Sequence, residues 1–295
     1  MKKNMTMLIL SCDKFSDLWD GHIKLLEKNW PDRDMDTIIV TDAPSHRDYP
    51  GIQILSAGTE CEWSDRLAFA LQQVKTDYVF ITLDDYYLIK KVSDKGILEL
   101  VTMMERERID YIRLFSRPKR ATGKELYNYK GVFQIDTSVD YSVNLYSGIW
   151  TKKFLESTVR VPKNAWKFEV ILHKRAMEYG AKCVVSNRAD FQILDVVRKG
   201  KLLHKSAAYF KRHPDIYDGE RVVEIQTGSL YQLRGKLDRL LPFTPVTIVV
   251  PVVRKKTLVW LDPETGEAYL PCPILQVTDG QFKLVKYVDV SDLLD

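Results

Sequence analysis

Residues 78–88 read Tyr-Val-Phe-Ile-Thr-Leu-Asp-Asp-Tyr-Tyr-Leu, a run of β-branched and aromatic residues that ends in two acids. Continuous apolar character without alternation predicts a strand buried on both faces, the situation of a strand inside a parallel sheet. Parallel neighbours need crossover connections, so a strand of this kind commits the chain to a layered α/β fold. In open sheets of that class, ligands bind beyond the carboxyl ends of the strands. Asp84 and Asp85 stand at such an end. Carboxylates there suit a hard cation, Mg²⁺ or Mn²⁺, which can also hold a diphosphate; the plainer reading is a solvated turn after the strand.

The rest of the first 200 residues alternates in the same style. A strand is predicted over 5–12, then a helix with Phe15, Leu18, Trp19, His22, Leu25 and Leu26 on one face, ended by Trp30-Pro31. Strands follow over 37–41 and 52–55, and a helix over about 64–74 with Ser64 as its N-cap. Further helices are predicted near 94–106, 151–157 and 166–179, and strands over 111–115, 132–135, 141–146, 182–186 and 191–197. Residues 116–131 read as a basic loop, and 198–213 form the most basic stretch. The β-α-β alternation argues for right-handed crossovers and a mostly parallel mixed sheet flanked by helices. From about residue 244 the pattern changes to short strand-like runs, over 247–253, 257–261, 268–270 and 282–288, with Gly or Pro turns between them. The expected division is therefore an α/β domain over 1–243 and a small β-rich appendage over 244–295, serving packing, self-association or acceptor docking.

Bulk properties narrow the partners. The 295 residues are 45% hydrophobic and 28% charged, with a net charge of +4. That is ordinary globular composition. The mild basic excess does not mark a nucleic-acid binder; it suits an anionic donor or an anionic membrane surface. Cys12, Cys61, Cys183 and Cys272 form no C-x-x-C pair, which argues against a zinc site or a disulfide framework and for a reducing cytoplasm. After Met-Lys-Lys-Asn the apolar stretch is too short for a secretory segment, and no run approaches the ~20 apolar residues that span a bilayer. Any membrane association is expected to be peripheral, at the inner face of the cell membrane.

Five motifs in order carry a resemblance: Leu8-Ile-Leu-Ser-Cys-Asp13, Ile39-Val-Thr-Asp42, Glu62-Trp-Ser-Asp-Arg-Leu67, Leu83-Asp-Asp-Tyr-Tyr-Leu88 and Trp166-Lys-Phe-Glu169. Over about residues 5–200 the chain resembles bacterial nucleotide-sugar glycosyltransferases of the GT-A fold, in particular those that build capsule or lipopolysaccharide glycans. The resemblance implies a nucleotide-diphosphate sugar as donor and a glycan or polyprenyl-linked saccharide as acceptor. It places Ser11 and Asp13 beside base or ribose, Asp42 at the base edge and Arg66 at the diphosphate. It makes Asp85 a ligand of Mn²⁺ or Mg²⁺, Asp84 a contact to ribose or metal-bound water, and Glu169 the base that deprotonates the acceptor hydroxyl. The family's metal motif is Asp-x-Asp, whereas here the two acids are adjacent.

Each residue also has a plainer reading. Asp42 closes a turn after a strand, Arg66 pairs with Asp65 or Glu62, Glu169 stabilises a helix N-terminus, and Trp166 packs in the core or stacks on a sugar. His204 and His213 read as surface histidines or as a late metal ligand. Two other functions fit such a fold, a sugar nucleotidyltransferase and an inactive carbohydrate-binding scaffold. The first normally has a Gly-rich phosphate loop after the first strand, which residues 8–21 lack.

Overall fold

The computed structural model describes residues 4–115, 119–186, 188–189 and 191–224, together with five strands among residues 244–284. The chain divides into two compact units, residues 1–224 and 225–295. The 243/244 boundary expected from the sequence adjoins residues 225–243, which lie outside the described residues.

Among the described residues, the first unit is built on a nine-stranded sheet. Its first half is parallel: β3 (Ile52–Ser56), β2 (Asp36–Thr41), β1 (Met5–Leu10) and β4 (Tyr78–Leu83) lie side by side in that order. Next come β9 (Gly148–Thr151), β6 (Tyr111–Arg113), β10 (Cys183–Ser186), β8 (Val132–Ile135) and β7 (Thr122–Glu125). Of these, β9 runs antiparallel to both β4 and β6, and β8 antiparallel to β10 and β7. The mostly parallel mixed sheet flanked by helices, expected from the sequence, is the fold of this unit.

Helices cover both faces, which is why the central strands are apolar throughout. Along β1, Met7 and Ile9 point to one layer and Leu8 and Leu10 to the other, as a period of two requires. The first layer includes Trp19, Ile23 and Leu26 of α1 (Trp19–Asn29) and Ile97, Leu100 and Met104 of α3 (Asp94–Glu107). The second takes Leu67 and Leu71 of α2 (Trp63–Gln73), Phe154 of α4 (Lys152–Thr158), and Phe168 and Leu172 of α5 (Ala165–Tyr179).

Two local expectations are corrected. Residues 141–146 form turns, and the strand lies further on at β9. Tyr141 adopts a left-handed backbone, φ +59°, and its carbonyl accepts a hydrogen bond from Asn144 Nδ2 at 3.0 Å, so the segment bends away from the ladder. Gly148 opens β9 because a Cβ there would sit 2.6 Å from the Ile112 carbonyl oxygen. At α2 the N-cap is Glu62, in a reciprocal capping box with Asp65. Ser64 is buried instead, accepting from Lys163 N–H at 2.8 Å.

In the second unit, β14 (Thr244–Val250), β15 (Lys255–Leu261) and β16 (Ala268–Tyr269) form an antiparallel sheet, and β17 (Leu275–Thr278) pairs with β18 (Gln281–Leu284). The expected strand over 282–288 is described only to Leu284.

Candidate active site

A cleft of about 900 Å³ opens at the carboxyl ends of β1 and β4. Its lining includes Ser11, Arg66, Asp84, Asp85 and Glu169, five residues singled out in the sequence. Asp13 and Asp42 are not among its lining residues. Asp42 stands beside it, accepting from the Asp13 N–H at 2.7 Å and facing Arg66 at 3.9 Å. Hydrogen bonds from the Asp13 and Asp42 N–H groups and the nearby guanidinium hold the Asp42 carboxyl below its usual range, in spite of partial burial. Arg66 also donates to the Cys61 carbonyl at 3.0 Å. Asp65 belongs to the capping box, so Arg66 is aligned by Asp42 and the chain before α2.

The two acids occupy the turn between β4 and β5 (Tyr86–Leu88). Asp84 is 7% exposed, and its Oδ2 accepts from Ser11 Oγ. Ser11 Oγ in turn accepts from Trp19 Nε1 at 2.7 Å. The Asp84 carbonyl meets Nδ1 of buried His22 at 3.2 Å. Burial brings the His22 pKa down to about 4, so the ring is neutral and donates through Nδ1–H. Asp84 is thus fastened on both sides.

Asp85 is different. Its carbonyl accepts from the Val196 N–H at 2.9 Å, but its buried Oδ1 has no hydrogen-bond partner among the described residues. Burial, then the neighbouring Asp84 and Asp195, raise its pKa well above the ordinary carboxylate range. Asp195 ends β11 (Ile193–Asp195), which pairs antiparallel with β5 and sets Asp195 opposite Tyr86. Burial raises the Asp195 pKa also, opposed by Arg198, whose guanidinium lies 3.6 Å away.

Sequence reasoning missed Asp195. The available signal was an acid inside the apolar run Phe191-Gln-Ile-Leu-Asp-Val-Val, a position where a strand ordinarily carries no charge. That run is predicted as one strand, 191–197. It splits into β11 and β12 (Val197–Arg198), the latter turning back through Lys199 and Gly200 to β13 (Lys201–Leu202). Both turn residues have positive φ, +51° and +78°, as a two-residue hairpin demands. The turn brings Arg198 and Lys199 to the rim of the cleft.

Glu169 projects from α5 on another wall. Asn164 caps this helix by accepting from Lys167 N–H at 3.0 Å, and Glu169 stands one turn inside. It does not stabilise the first turn. Its Oε1 accepts from the Leu145 N–H at 3.0 Å. Burial raises its pKa, only partly offset by that hydrogen bond. Glu169 therefore serves the Leu145 N–H and not the first turn of α5. Trp166 is 65% exposed at the mouth, not packed in the core.

A divalent cation is implied by the resemblance, and the donor set fits one. Mg²⁺ and Mn²⁺ take oxygen ligands, and Mg²⁺ commonly binds one or two carboxylates plus substrate phosphates and water. Asp85, with its partnerless Oδ1, and Asp195 supply such oxygens. No cluster of three or more His, Cys, Asp or Glu groups converges as a ready-made cage among the described residues. Nor do His204 and His213 line the cleft; they flank the ends of α6 (His204–Arg212), where His213 packs on Tyr209 at 4.4 Å between ring centroids.

A family model described as Domain of unknown function (DUF8091) matches residues 208–270, from within α6 into the second unit. No curated protein matches the chain. Among solved structures, the chain is similar to TarS 1–349 of S. aureus, at 12% identity over 65% of this chain and 59% of that one, TM-score 0.43. It is also similar to the mannosyltransferase PcManGT of Pyrobaculum calidifontis in complex with GDP-Man and Mn²⁺, at 12% identity over 75% and 66%, TM-score 0.46. A third is a UDP-glucose pyrophosphorylase complexed with UDP-glucose, at 9% identity over 66% and 92%, TM-score 0.44. Glycosyl- and nucleotidyl-transferring enzymes both stand among these likenesses, and the chain spans less than two thirds of the TarS and PcManGT structures.

Proposed function

We propose that the chain is an inverting, metal-dependent glycosyltransferase that moves a sugar from a nucleoside-diphosphate donor to a hydroxyl of a glycan or lipid-linked acceptor, in the making of surface polysaccharide. The observation that carries this reading is the cleft's division of carboxyl groups. An acidic floor with one buried, partnerless carboxylate oxygen lies at the sheet end, and a separate carboxyl group, Glu169, stands on α5.

On this reading Arg66 binds the diphosphate, where a guanidinium offers paired donors to phosphate oxygens. Ser11 and Asp84 flank the ribose, with Asp13 and Asp42 next to the base. Asp85 and Asp195 would hold the cation, which would neutralise charge on the departing diphosphate. Glu169 takes the proton of the acceptor hydroxyl. That oxygen bonds to the anomeric carbon on the face opposite the diphosphate, and the carbon–oxygen bond to the diphosphate breaks with its electron pair leaving on the phosphate. Burial makes Glu169 a stronger base than a surface carboxylate, and the Leu145 N–H fixes its orientation. The protein acts in the cytoplasm, peripherally at the inner face of the membrane. No helix among the described residues is long and apolar enough to cross a bilayer.

Thermal shift with a panel of nucleotide sugars, with and without Mn²⁺, tests this, because a ligand specific to the native state raises stability by mass action. A cation-dependent rise with one donor, accompanied by slow release of its nucleoside diphosphate, is expected. Release of pyrophosphate from a nucleoside triphosphate and a sugar phosphate would instead make it a nucleotidyltransferase. Absence of any turnover would leave a binding scaffold.

A further inference from the structure

Helix α5 does more than carry Glu169. Along one edge of its outer face three apolar residues are exposed: Trp166 by 65%, Val170 by 44% and Met177 by 47%. Successive residues on a helix advance by about 100°, so these three fall within about 40° of one another. They form a row about 16 Å long at 1.5 Å per residue, interrupted between Val170 and Met177 by buried His173, and its Trp166 end is at the mouth of the cleft. Hydrophobic residues scattered singly on a surface are normal, whereas an aligned row marks a contact.

Charge says what the contact is. Lys167 and Lys174 project from the same exposed sector, farther round the helix, and Lys163 precedes it. None of the three side chains has a salt bridge among the described residues. The nearby acid Glu178 is already neutralised by Arg160 at 3.2 Å and Arg175 at 3.3 Å. On the opposite flank Asp140 faces His173 at 3.3 Å. An apolar row ending in tryptophan and bordered by uncompensated lysines has the composition of a helix lying in a bilayer interface. There the rings and aliphatic chains enter the acyl boundary and the ammonium groups reach anionic head groups.

We propose that this face of α5 docks on an anionic lipid surface and holds the cleft mouth against it. A head group projecting from the bilayer then lies beside Trp166 and within reach of Glu169, which makes the acceptor lipid-linked. The docking itself does not depend on the transfer reaction; the choice of acceptor rests on the glycosyltransferase reading above.

Co-sedimentation of the full chain with phosphatidylcholine vesicles containing about a third phosphatidylglycerol tests the surface. Binding is expected to these vesicles and not to pure phosphatidylcholine. Lys163→Gln with Lys174→Gln should weaken it about 25-fold, near fivefold for each lysine. Val170→Asp with Met177→Asp should abolish it. Both double variants should keep the donor-induced thermal shift, which shows them folded and reads the donor site separately. Failure of the wild-type protein to bind anionic vesicles overturns the proposal, as does equal binding by the wild type and both variants. Loss of a concentration-dependent dimer in the aspartate variant, without vesicle binding by the wild type, would assign the ridge to self-association instead.

Discussion

Replacing Asp85 by asparagine should make the metal-free protein more stable while removing its response to metal. The buried Oδ1 has no hydrogen-bond partner among the described residues, and Asp84 and Asp195 add repulsion whenever the group ionises. Its native pKa is above the 3.8 of the unfolded chain, so between the two values the native state holds more protons than the unfolded state. Stability in that window therefore falls as pH rises. Asparagine keeps a polar oxygen at the site and removes only the ionisation, taken as worth about 1–3 kcal/mol, the scale of an unsatisfied buried group. For a folded unit of this size, 1 kcal/mol moves Tm by about 2–4 °C. Asp85→Asn should then raise the metal-free Tm by roughly 2–12 °C at pH 7. The gain should shrink on acidification toward pH 4, where the wild-type carboxyl is itself protonated. Adding Mn²⁺ with a nucleoside diphosphate should raise the wild-type Tm and leave the variant unmoved. Differential scanning fluorimetry over pH 4–8 reads all three. A variant less stable than wild type at pH 7 would show that Asp85 is not uncompensated, and one that still responds to Mn²⁺ would show that it is not a ligand.

Glu169→Gln should keep donor binding and lower transfer by about 10²–10⁴, seen as a fall in kcat with donor KM unchanged. In the wild type kcat should fall as pH drops through the raised Glu169 pKa, giving an acid limb above the normal glutamate range that is missing from the residual activity of the variant. Arg66→Ala should weaken donor binding roughly 10- to 150-fold, the equivalent of about 1.5–3 kcal/mol for a hydrogen bond to a charged group, with little effect on Tm. Arg113→Met should lower Tm, because the wholly buried guanidinium donates to the carbonyls of Phe115 at 2.7 Å and Ser142 at 2.5 Å and the substitution leaves both acceptors unpaired.

The sheet was legible because its strands are buried on both faces. Residues 78–83 were bounded correctly from sequence, and β1 and β2 nearly so, since no other local structure suits so continuous an apolar run. β9 was hidden because Gly148-Ile-Trp-Thr has only four residues, and its glycine serves a close backbone approach that sequence does not announce. β7 was hidden too, since Thr122–Glu125 is largely exposed at the sheet edge and carries no apolar pattern. Among the cleft-lining residues, Asp84 and Asp85 were marked by their place at the end of a buried strand and Glu169 by motif order along the chain. Asp195 was not, since its place depends on β11 folding back on β5, a pairing between residues about a hundred positions apart. Tyr141 and Tyr146 also reach the cleft from a loop, where side-chain direction follows backbone turns and not periodicity.

The adjacent acids explain how a site can work without the alternating Asp-x-Asp spacing. On an extended strand neighbouring side chains point to opposite faces, so an alternating pair is needed to put two carboxylates on one side. Here the strand stops at Leu83, and both acids sit in a turn, where that constraint lapses. Their partners then separate their tasks. Ser11, oriented by Trp19 Nε1, and His22 beneath the backbone hold Asp84 as part of the wall. Asp85 keeps an oxygen with no hydrogen-bond partner among the described residues, and on the proposed reading Asp195, delivered from β11, would stand in for the second carboxylate of the alternating motif. If this exchange holds, Asp195→Asn should cost as much metal-dependent donor binding as Asp85→Asn does, while Asp84→Asn leaves the metal response in place and disturbs Ser11. Titrating Mn²⁺ against all three variants at a fixed donor concentration decides it, and a response lost in Asp84→Asn but kept in Asp195→Asn would reverse the assignment.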